Sequence, residues 1–516
     1  MGRELHAPPV LAIVRWKIAR LPTWTASFGD RAVGLMASIM VDWPDCHYLA
    51  VRREPMYLRS TFLILLPVHP FSKGSHMLNV TVANHSTVAD NYDVIVIGAG
   101  ISGLVAASVL LKDGYRRVLV VDEYDHVGGN HIDYSVGGYT FDIGSFIFQD
   151  DSPLLAHLPE ILPLYVPINP SWGRLNPQGM VTQYPISIRD DIIAAGPVEW
   201  VRILSSVVFA RIFRRRLRNA RDFAQYWIGA YLLHRSGLGN YMKRFYGLSA
   251  DKIDLEFAQK RMLWIKEHAS LRGAFRRWVM PAPKSAPNQQ LARPREGFAH
   301  LYQGAVQRLE RSGVTFFLGA KMQSLQKQDG VLFIDTEGRR VAASRVVSTI
   351  PLANIQDLCG LPSDEGLLTV TLISLFFSFS GDRGFKDPIL YNFSHTGAWK
   401  RLTVYSDFYG RSDGREYFGV EVNADHVLGS VETAEHDFRQ HTSANGLFTG
   451  DLRLEGSHIV SNAYPVYSDK ADERAANAIA ALRTLGIESF GRQGGFDYQP
   501  TARVSTLHAE AALARK

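Results

Sequence analysis

Read for its alternation of apolar and polar positions, the chain changes character near residue 90. Residues 1 to about 90 keep no steady period of 2 or 3.6, and Trp16, Trp24 and Trp43 are scattered among Arg and Pro. From Tyr92 the pattern becomes regular. Asp93-Val-Ile-Val-Ile97 is a short β-branched run that ends in glycine, as a buried parallel strand does. Gly98-Ala-Gly-Ile-Ser-Gly103 follows, Leu104 to Lys112 reads as a helix, and Arg117-Val-Leu-Val-Val-Asp122 as a second buried strand. Together these make one βαβ unit of about thirty residues. Between about 151 and 290 the period is mainly helical, with long helices predicted over Trp200–Tyr226 and Asp251–His268. A helix over Ala292 to Gly313 precedes a strand at Val314–Leu318, and Val331–Asp335 and Val341–Ile350 are strand-like. Leu368–Phe377 and Glu416–Val422 predict a second, antiparallel sheet, and Ala471–Leu485 a helix before a glycine-rich end.

Composition narrows the function classes. The 516 residues leave room for two or three domains, and 46% hydrophobic with 21% charged residues is ordinary globular composition. The net charge of +6 raises a nucleic-acid partner, but residues 1–76 hold nine basic and five acidic side chains, or +4, leaving only +2 for the rest. No nucleic-acid partner is expected. Cys46 and Cys359 are the only cysteines, so neither a disulfide framework nor a zinc site is expected, and a reducing cytoplasm is. Thr61 to Val68 is too short to span a bilayer and holds Pro67; the order of a signal peptide is not seen. Three readings stay open for residues 1–90, where Gly-Ser-His-Met at 74–77 resembles the remnant of an expression tag. They are a start placed upstream of a natural Met77, a poorly ordered extension, or a membrane-associating arm.

The glycine motif carries the first chemistry. It follows a strand and opens a helix, the context that makes a G-x-G-x-x-G informative. Gly98 permits the tight turn, Gly100 lets backbone approach a pyrophosphate, and Gly103 allows close helix–strand packing. The helix N-terminus offers unpaired N–H groups to the phosphates. Asp122 ends the second strand, where a carboxylate accepts hydrogen bonds from ribose hydroxyls. Gly128-Gly129-Asn130 then resembles the extended flavoprotein fingerprint, acid-x5-Gly-Gly, which points to FAD as the cofactor.

At this point the chain resembles the flavoprotein clan of amine oxidases, protoporphyrinogen oxidases and UDP-galactopyranose mutases, and Asn130 leans toward the mutases. Lys243 to Arg261 is similar to the mutase segment with an aromatic–Gly pair before a helix. The resemblance makes Arg261 a diphosphate-binding arginine and sets Tyr246 near the uridine. Trp399-Lys-Arg-Leu-Thr-Val-Tyr405 is similar to the strand with the second diphosphate arginine, here Arg401. Alternation along it places Arg401, Thr403 and Tyr405 on one face. Arg293-Pro-Arg-Glu-Gly-Phe298 resembles a turn before a cofactor-domain helix. Gly491-Arg-Gln-Gly-Gly-Phe-Asp-Tyr498 resembles the terminal motif in which an arginine, Arg492, lies by the flavin. Tyr464, in Ala463-Tyr464-Pro465, fits a segment near the active site. Gly491, Arg492 and Tyr498 are thus cofactor-binding candidates, Arg261, Arg401 and Arg492 catalytic ones, and Tyr246, Arg261, Arg401 and Tyr464 substrate-binding ones. The sequence departs from the mutase pattern at Phe146 and Gln149, where histidines are usual, and at Pro500, where an aspartate is usual.

The expected architecture is α/β: a Rossmann-like discontinuous FAD-binding domain (91–150 with 290–352 and 455–516), a helical insertion (151–289) and an antiparallel β-sheet substrate domain (353–454). Residues 1–90 stand outside it. The first functional expectation is an FAD-dependent enzyme on a nucleotide sugar, resembling the mutases. The alternative is an oxidase or dehydrogenase of the wider clan, supported by Val346-Val-Ser-Thr-Ile-Pro351, with a nicotinamide nucleotide or redox partner as electron source. A third is a membrane-surface protein, since 201–221 joins an apolar run to the six arginines of Arg211–Arg221. The location expected is therefore cytoplasmic, with the inner membrane face as one contact. The 17 histidines are dispersed and no metal site is expected; His300 reads as structural.

Overall fold

The computed structural model describes residues 89–514 apart from Ser145, Ser187, 263–264 and 266–288. Expectations for residues 1–88, and for most of the helix beyond Met262, lie outside the described residues. Along the chain run β1 (Asp90–Ile97), α1 (Ile101–Lys112), β2 (Val118–Val121), β3 (Ile132–Val136) and β4 (Tyr139–Ile143). The insertion holds β5 (Trp172–Leu175), β6 (Val181–Gln183), α2 (Pro197–Phe213), α3 (Ala220–Arg235), α4 (Leu238–Tyr246) and α5 (Leu255–Arg261). Next come α6 (Phe298–Arg311), β7 (Val314–Phe317), β8 (Met322–Gln328), β9 (Val331–Thr336) and β10 (Arg339–Ser348). The remainder holds β11 (Thr369–Arg383), β12 (Ile389–Asn392), β13 (Trp399–Val404), β14 (Glu416–Asn423), α7 (Val431–Ala444) and β15 (Phe448–Pro465). It closes with α8 (Ala471–Leu485), β16 (Ile487–Ser489), α9 (Gly491–Gly494) and α10 (Ala502–Leu513).

The first sheet is ordered β7-β2-β1-β10-β9-β8, with β16 also on β10. The continuous apolar run of β1 reflects cover on both faces. Val94 and Val96 enter one core with α1, while Ile95 and Ile97 enter a second with α8. β1 pairs in parallel with β2 and β10, which brings Gly98, Asp122 and Thr349 to one sheet end. The second sheet, β15-β11-β14-β13-β12-β5-β6, is antiparallel except for the parallel pair β12–β5. It draws strands from 172–183 as well as from 369–465. Its inner face, with Trp399, Leu402, Phe418 and Val420, packs on Phe438 of α7.

Three predicted helices are shorter than the periodicity suggested. The Trp200–Tyr226 segment breaks after Phe213, at the arginine run, and restarts at Ala220 because the Asn219 side chain accepts from Asp222 N–H. The Asp251–His268 helix starts only at Leu255, where Asp254 caps Phe257 N–H. The Ala292–Gly313 helix begins at Phe298, after Pro294 and after Gly297, which holds φ +112. A Cβ at Gly297 would lie 2.4 Å from Asp133 Oδ2. The Asp133 carboxylate accepts from Phe298 N–H and Ala299 N–H at 2.8 and 2.9 Å and caps α6 in the glycine's place. No helix among the described residues is long and apolar enough to cross a membrane.

The motif before α6 is a clamp that ties the β3–β4 hairpin to the turn before α6 and to the segment after β13. Arg293 is fully buried and pairs with buried Asp142, and it also donates to the carbonyls of Thr140, Pro294 and Arg295. Tyr409 and Tyr405 add hydroxyl bonds to the Asp142 side chain and carbonyl. Burial pushes Asp142 up to about 6 despite the guanidinium beside it. Removing one partner of such a pair leaves the other buried and uncompensated. Arg293→Met is expected to cost about 3–5 kcal/mol in urea unfolding of the whole protein. An unchanged midpoint would show that the clamp contributes nothing.

Candidate functional site

The glycine loop is built by contacts that exclude side chains. A Cβ on Gly103 would sit 1.8 Å from the Gly98 carbonyl oxygen, so the first turn of α1 rests directly on the loop. α1 has no side-chain cap and no acidic residue in its first turn, which leaves its leading N–H groups for an anion. The second glycine pair docks on the first: Gly128 N–H donates to Ala99 O at 2.9 Å, and Gly100 bridges to Gly128. Gly128 and Gly129 hold φ of +102 and +62, and a Cβ on Gly128 would strike the Tyr302 ring at 2.8 Å. Above Gly100 the space stays open, with only the Gly129 backbone within 4 Å of a Cβ there. Asp122 accepts from Ala99 N–H at 2.5 Å and from Tyr124 N–H at 2.9 Å, so one carboxylate locks the loop, and each oxygen keeps lone-pair capacity for a ribose. Burial raises its pKa against those two bonds.

A second group of residues converges beside this cradle. α9 sits on α1, since a Cβ on Gly491 would meet Ser102 Oγ at 2.9 Å. Arg492 lies over the Tyr464 ring at 5.6 Å and has no carboxylate partner among the described residues. Asn130 Nδ2 donates to Ala463 O at 3.0 Å, and Gln493 donates to Asn462 O. The end of β15 is therefore where the glycine pair, α9 and the second sheet meet. Tyr464 accepts from Lys400 Nζ at 3.1 Å and donates to Phe245 O at the end of α4.

Lys400 and Arg401 both face Glu421 because of a β-bulge. The register of β13 on β14 shifts between Trp399 and Arg401, so two successive residues oppose one partner. Lys400 Nζ lies 3.0 Å from Glu421 Oε2, and Arg401 pairs with the other oxygen while donating to Gly144 O at 3.0 Å. Burial pulls Lys400 down to about 8, more than Glu421 restores. Burial pushes Glu421 upward, but Arg401 and Lys400 together hold it below the usual carboxylate range. Two cations thus share one carboxylate, and Arg492 lowers Lys400 further by repulsion. His131, hydrogen-bonded to Tyr302 and stacked on Phe298, is driven down to about 4 by burial and then by Arg492, so it stays neutral.

The structure brings Gly98, Gly100, Gly103, Asp122, Gly128, Gly129 and Asn130 into one cradle, with Gly491, Arg492 and Tyr464 beside it and Arg401 joined through Lys400. Tyr498 packs edge-on against Phe257 at 5.1 Å, and Phe257 meets Tyr246 in the same way. Tyr246 lines a narrow apolar pocket of about 30 Å3 with Tyr184, Tyr241, Met242, Ile253 and Phe393. Arg261 ends α5, and its side chain lies outside the described residues. Phe146 is buried against Tyr405 and Phe408, and Gln149 accepts from Arg503. Lys400, Glu421 and His131 were not singled out from the sequence. Alternation in Glu416–Val422 does place Glu421 on a face with Gly419 and Tyr417, and that signal was available.

Two titrations follow. Lys400 loses its proton near pH 8, so a pH profile of kcat/KM is expected to fall through about 8. Lys400→Met removes that limb and Lys400→Arg carries it out of range. For His131, the unfolded chain binds a proton between about pH 6.5 and 4 that the folded chain does not. Stability therefore falls as pH falls through that window, by up to about 3 kcal/mol, and His131→Phe flattens that part of the unfolding profile.

Residues 96–160 match the family described as NAD(P)-binding Rossmann-like domain. Over 69 residues, 13% of this chain and 12% of the relative, the chain is 49% identical to prolycopene isomerase 2 of an Oncidium hybrid cultivar. Over 44 residues, 8% of this chain and 11% of the relative, it is 46% identical to UDP-galactopyranose mutase of Mycoplasma genitalium. The matches thus span only about a tenth of these relatives' own length. Among solved structures, reduced UDP-galactopyranose mutase aligns with a TM-score of 0.66 at 16% identity, covering 82% of this chain and 94% of that one. A provisionally named protoporphyrinogen oxidase from Exiguobacterium gives 0.60 at 15% identity, covering 83% and 99%. A putrescine oxidase variant gives 0.52 at 15%, covering 83% and 100%. At these identities the likeness is one of fold. Residues 96–160 thus match a Rossmann-like domain, and the described chain has the fold of a UDP-galactopyranose mutase and of a putrescine oxidase.

Proposed function

We propose that the protein is an FAD-dependent oxidoreductase whose substrate side is the aromatic pocket lined by Tyr246. The paired glycine loops fit FAD: the space above Gly100 admits a pyrophosphate, the uncapped α1 supplies its donors, and Asp122 takes the adenine ribose. FAD supplies the acceptance and return of an electron pair. The protein holds the pyrophosphate at α1, closes the second glycine pair over it and buries positive charge next to the cradle. Arg492, uncompensated among the described residues, and Lys400 favour negative charge on a reduced ring. A nicotinamide nucleotide or a redox protein is the proposed electron source.

The observation that carries this reading over the nucleotide-sugar one is the state of Arg401. Its charge is already met by Glu421, with Nη2 taken by Glu421 and Gly144 O while the buried Nε has no hydrogen-bond partner, and the nearby pocket has no charged lining residue. A leaving diphosphate would need arginines free to receive it. Tyr391 stacks on pocket residue Tyr184 at 4.3 Å and lies close enough to Arg401 to interact with its charge. The mutase reading keeps the buried, unpartnered Nε of Arg401 as its support. Incubation of reduced and oxidised holoprotein with UDP-galactose separates the two. No isomer is expected from either form, and turnover is expected only with an external electron donor or acceptor. A ring-contracted product from the reduced form would establish the mutase instead. Purified protein without flavin absorbance would overturn the cofactor itself.

A further inference from the structure

Helix α2 turns an apolar stripe outward. Val198, Val201, Phe209, Ile212 and Phe213 recur at helical spacing on one face and are each between 52% and 70% exposed. Ser205 and Arg202 lie within the stripe; the Ser205 hydroxyl donates to Val201 O at 2.7 Å, and exposed Arg202 pairs with Glu199 at 2.8 Å. Phe209 and Phe213 rest ring to ring at 4.9 Å. The opposite face does the packing. Ile203 and Ala210 are buried, and a Cβ on Gly229 of α3 would lie 2.9 Å from Ser206 Oγ and from Val207 N. The exposed stripe is therefore not needed to hold α2 on the protein.

A basic collar follows the stripe at the helix end. Arg211 lies over the rings of Tyr226 and Trp227, Arg214 bonds Gln225, Arg218 pairs with Asp222 and Arg221 with Asp251. Arg215 and Arg216 are exposed and have no acidic partner among the described residues. With 17 residues α2 does not cross a bilayer, but an exposed apolar stripe ending in arginines suits a helix lying in the headgroup region.

We infer that α2 and the arginine run after it dock the protein on an anionic bilayer surface, with the stripe in the acyl boundary and Arg215 and Arg216 on lipid phosphates. A second copy of the chain suits this face less well. Two stripes packed head to head would bring two arginine collars together, and the antiparallel arrangement would offer them Glu199, which Arg202 and Arg235 already occupy. A nucleic acid would meet the arginines but leave the stripe in water. The proposal stands apart from the flavin reading, because none of these residues touches the cradle.

The test is co-sedimentation of the whole flavin-loaded protein with phosphatidylcholine vesicles, with or without about one-third phosphatidylglycerol. Binding is expected with the anionic vesicles and to weaken as salt is raised. The pair Phe209→Ser with Phe213→Ser is expected to lower the partition coefficient at least ~10-fold. Arg215→Gln and Arg216→Gln are each expected to lower it roughly five-fold on anionic vesicles and to leave neutral ones unaffected. Circular dichroism of each variant shows that it is folded. No binding, or binding that the phenylalanine pair leaves unchanged, overturns the proposal. A concentration-dependent dimer in sedimentation velocity that the same pair abolishes also overturns it, and gives the face to a second copy.

Discussion

The contact between Gly103 and the carbonyl of Gly98 is the constraint on which the cofactor end of the molecule depends. With no Cβ at 103, α1 settles onto the loop that precedes it, and its N-terminus arrives at the end of β1 with donors unspent. That placement leaves a floor on which other segments stack. Thr349, at the end of β10, packs under Gly98, Gly128 and Gly129 lie against Gly100, and Gly491 fits over Ser102. Segments near residues 98, 128, 349 and 491 meet there at glycines, whose missing side chains leave room for Thr349, Ser102 and Tyr302. A methyl group at any of the tightest points would push two of them apart.

The charged residues divide into two kinds by how completely they are satisfied. Arg293 and Asp142 are buried with partners for nearly every polar atom, which is what a structural clamp requires. The group around Glu421 is different. Lys400 is pulled toward neutrality, and Arg492 stands without a carboxylate among the described residues. Burying cations with one anion between them costs folding energy, so their excess charge is most economically understood as serving a ligand. The lining of the neighbouring pocket, by contrast, holds no charged residue.

The insertion adds a surface of opposite character. α2 keeps its inner side for α3 and shows solvent an apolar stripe ending in arginines. α3 carries Ala220, a lining residue of the aromatic pocket. The helix pair therefore connects an exposed apolar surface to the pocket wall.

Much of this was legible in the sequence, for a local reason. The run Asp93–Ile97, the glycines at 98, 100 and 103, Asp122 and the pair at 128–129 each state a need of the backbone within a few residues, and the structure assembles them as read. The pattern overran where one residue overrode periodicity: Asn219 restarting a helix, or Gly297 delaying another. What only the tertiary structure decided is the partnership of charges. Alternation puts Arg401 on a face, but no local rule announces the bulge that turns Lys400 to the same carboxylate. Nor does it announce that Glu421, twenty residues on, already compensates Arg401. Those facts depend on strand register and burial between segments distant in sequence, and they bear most directly on which chemistry the protein performs.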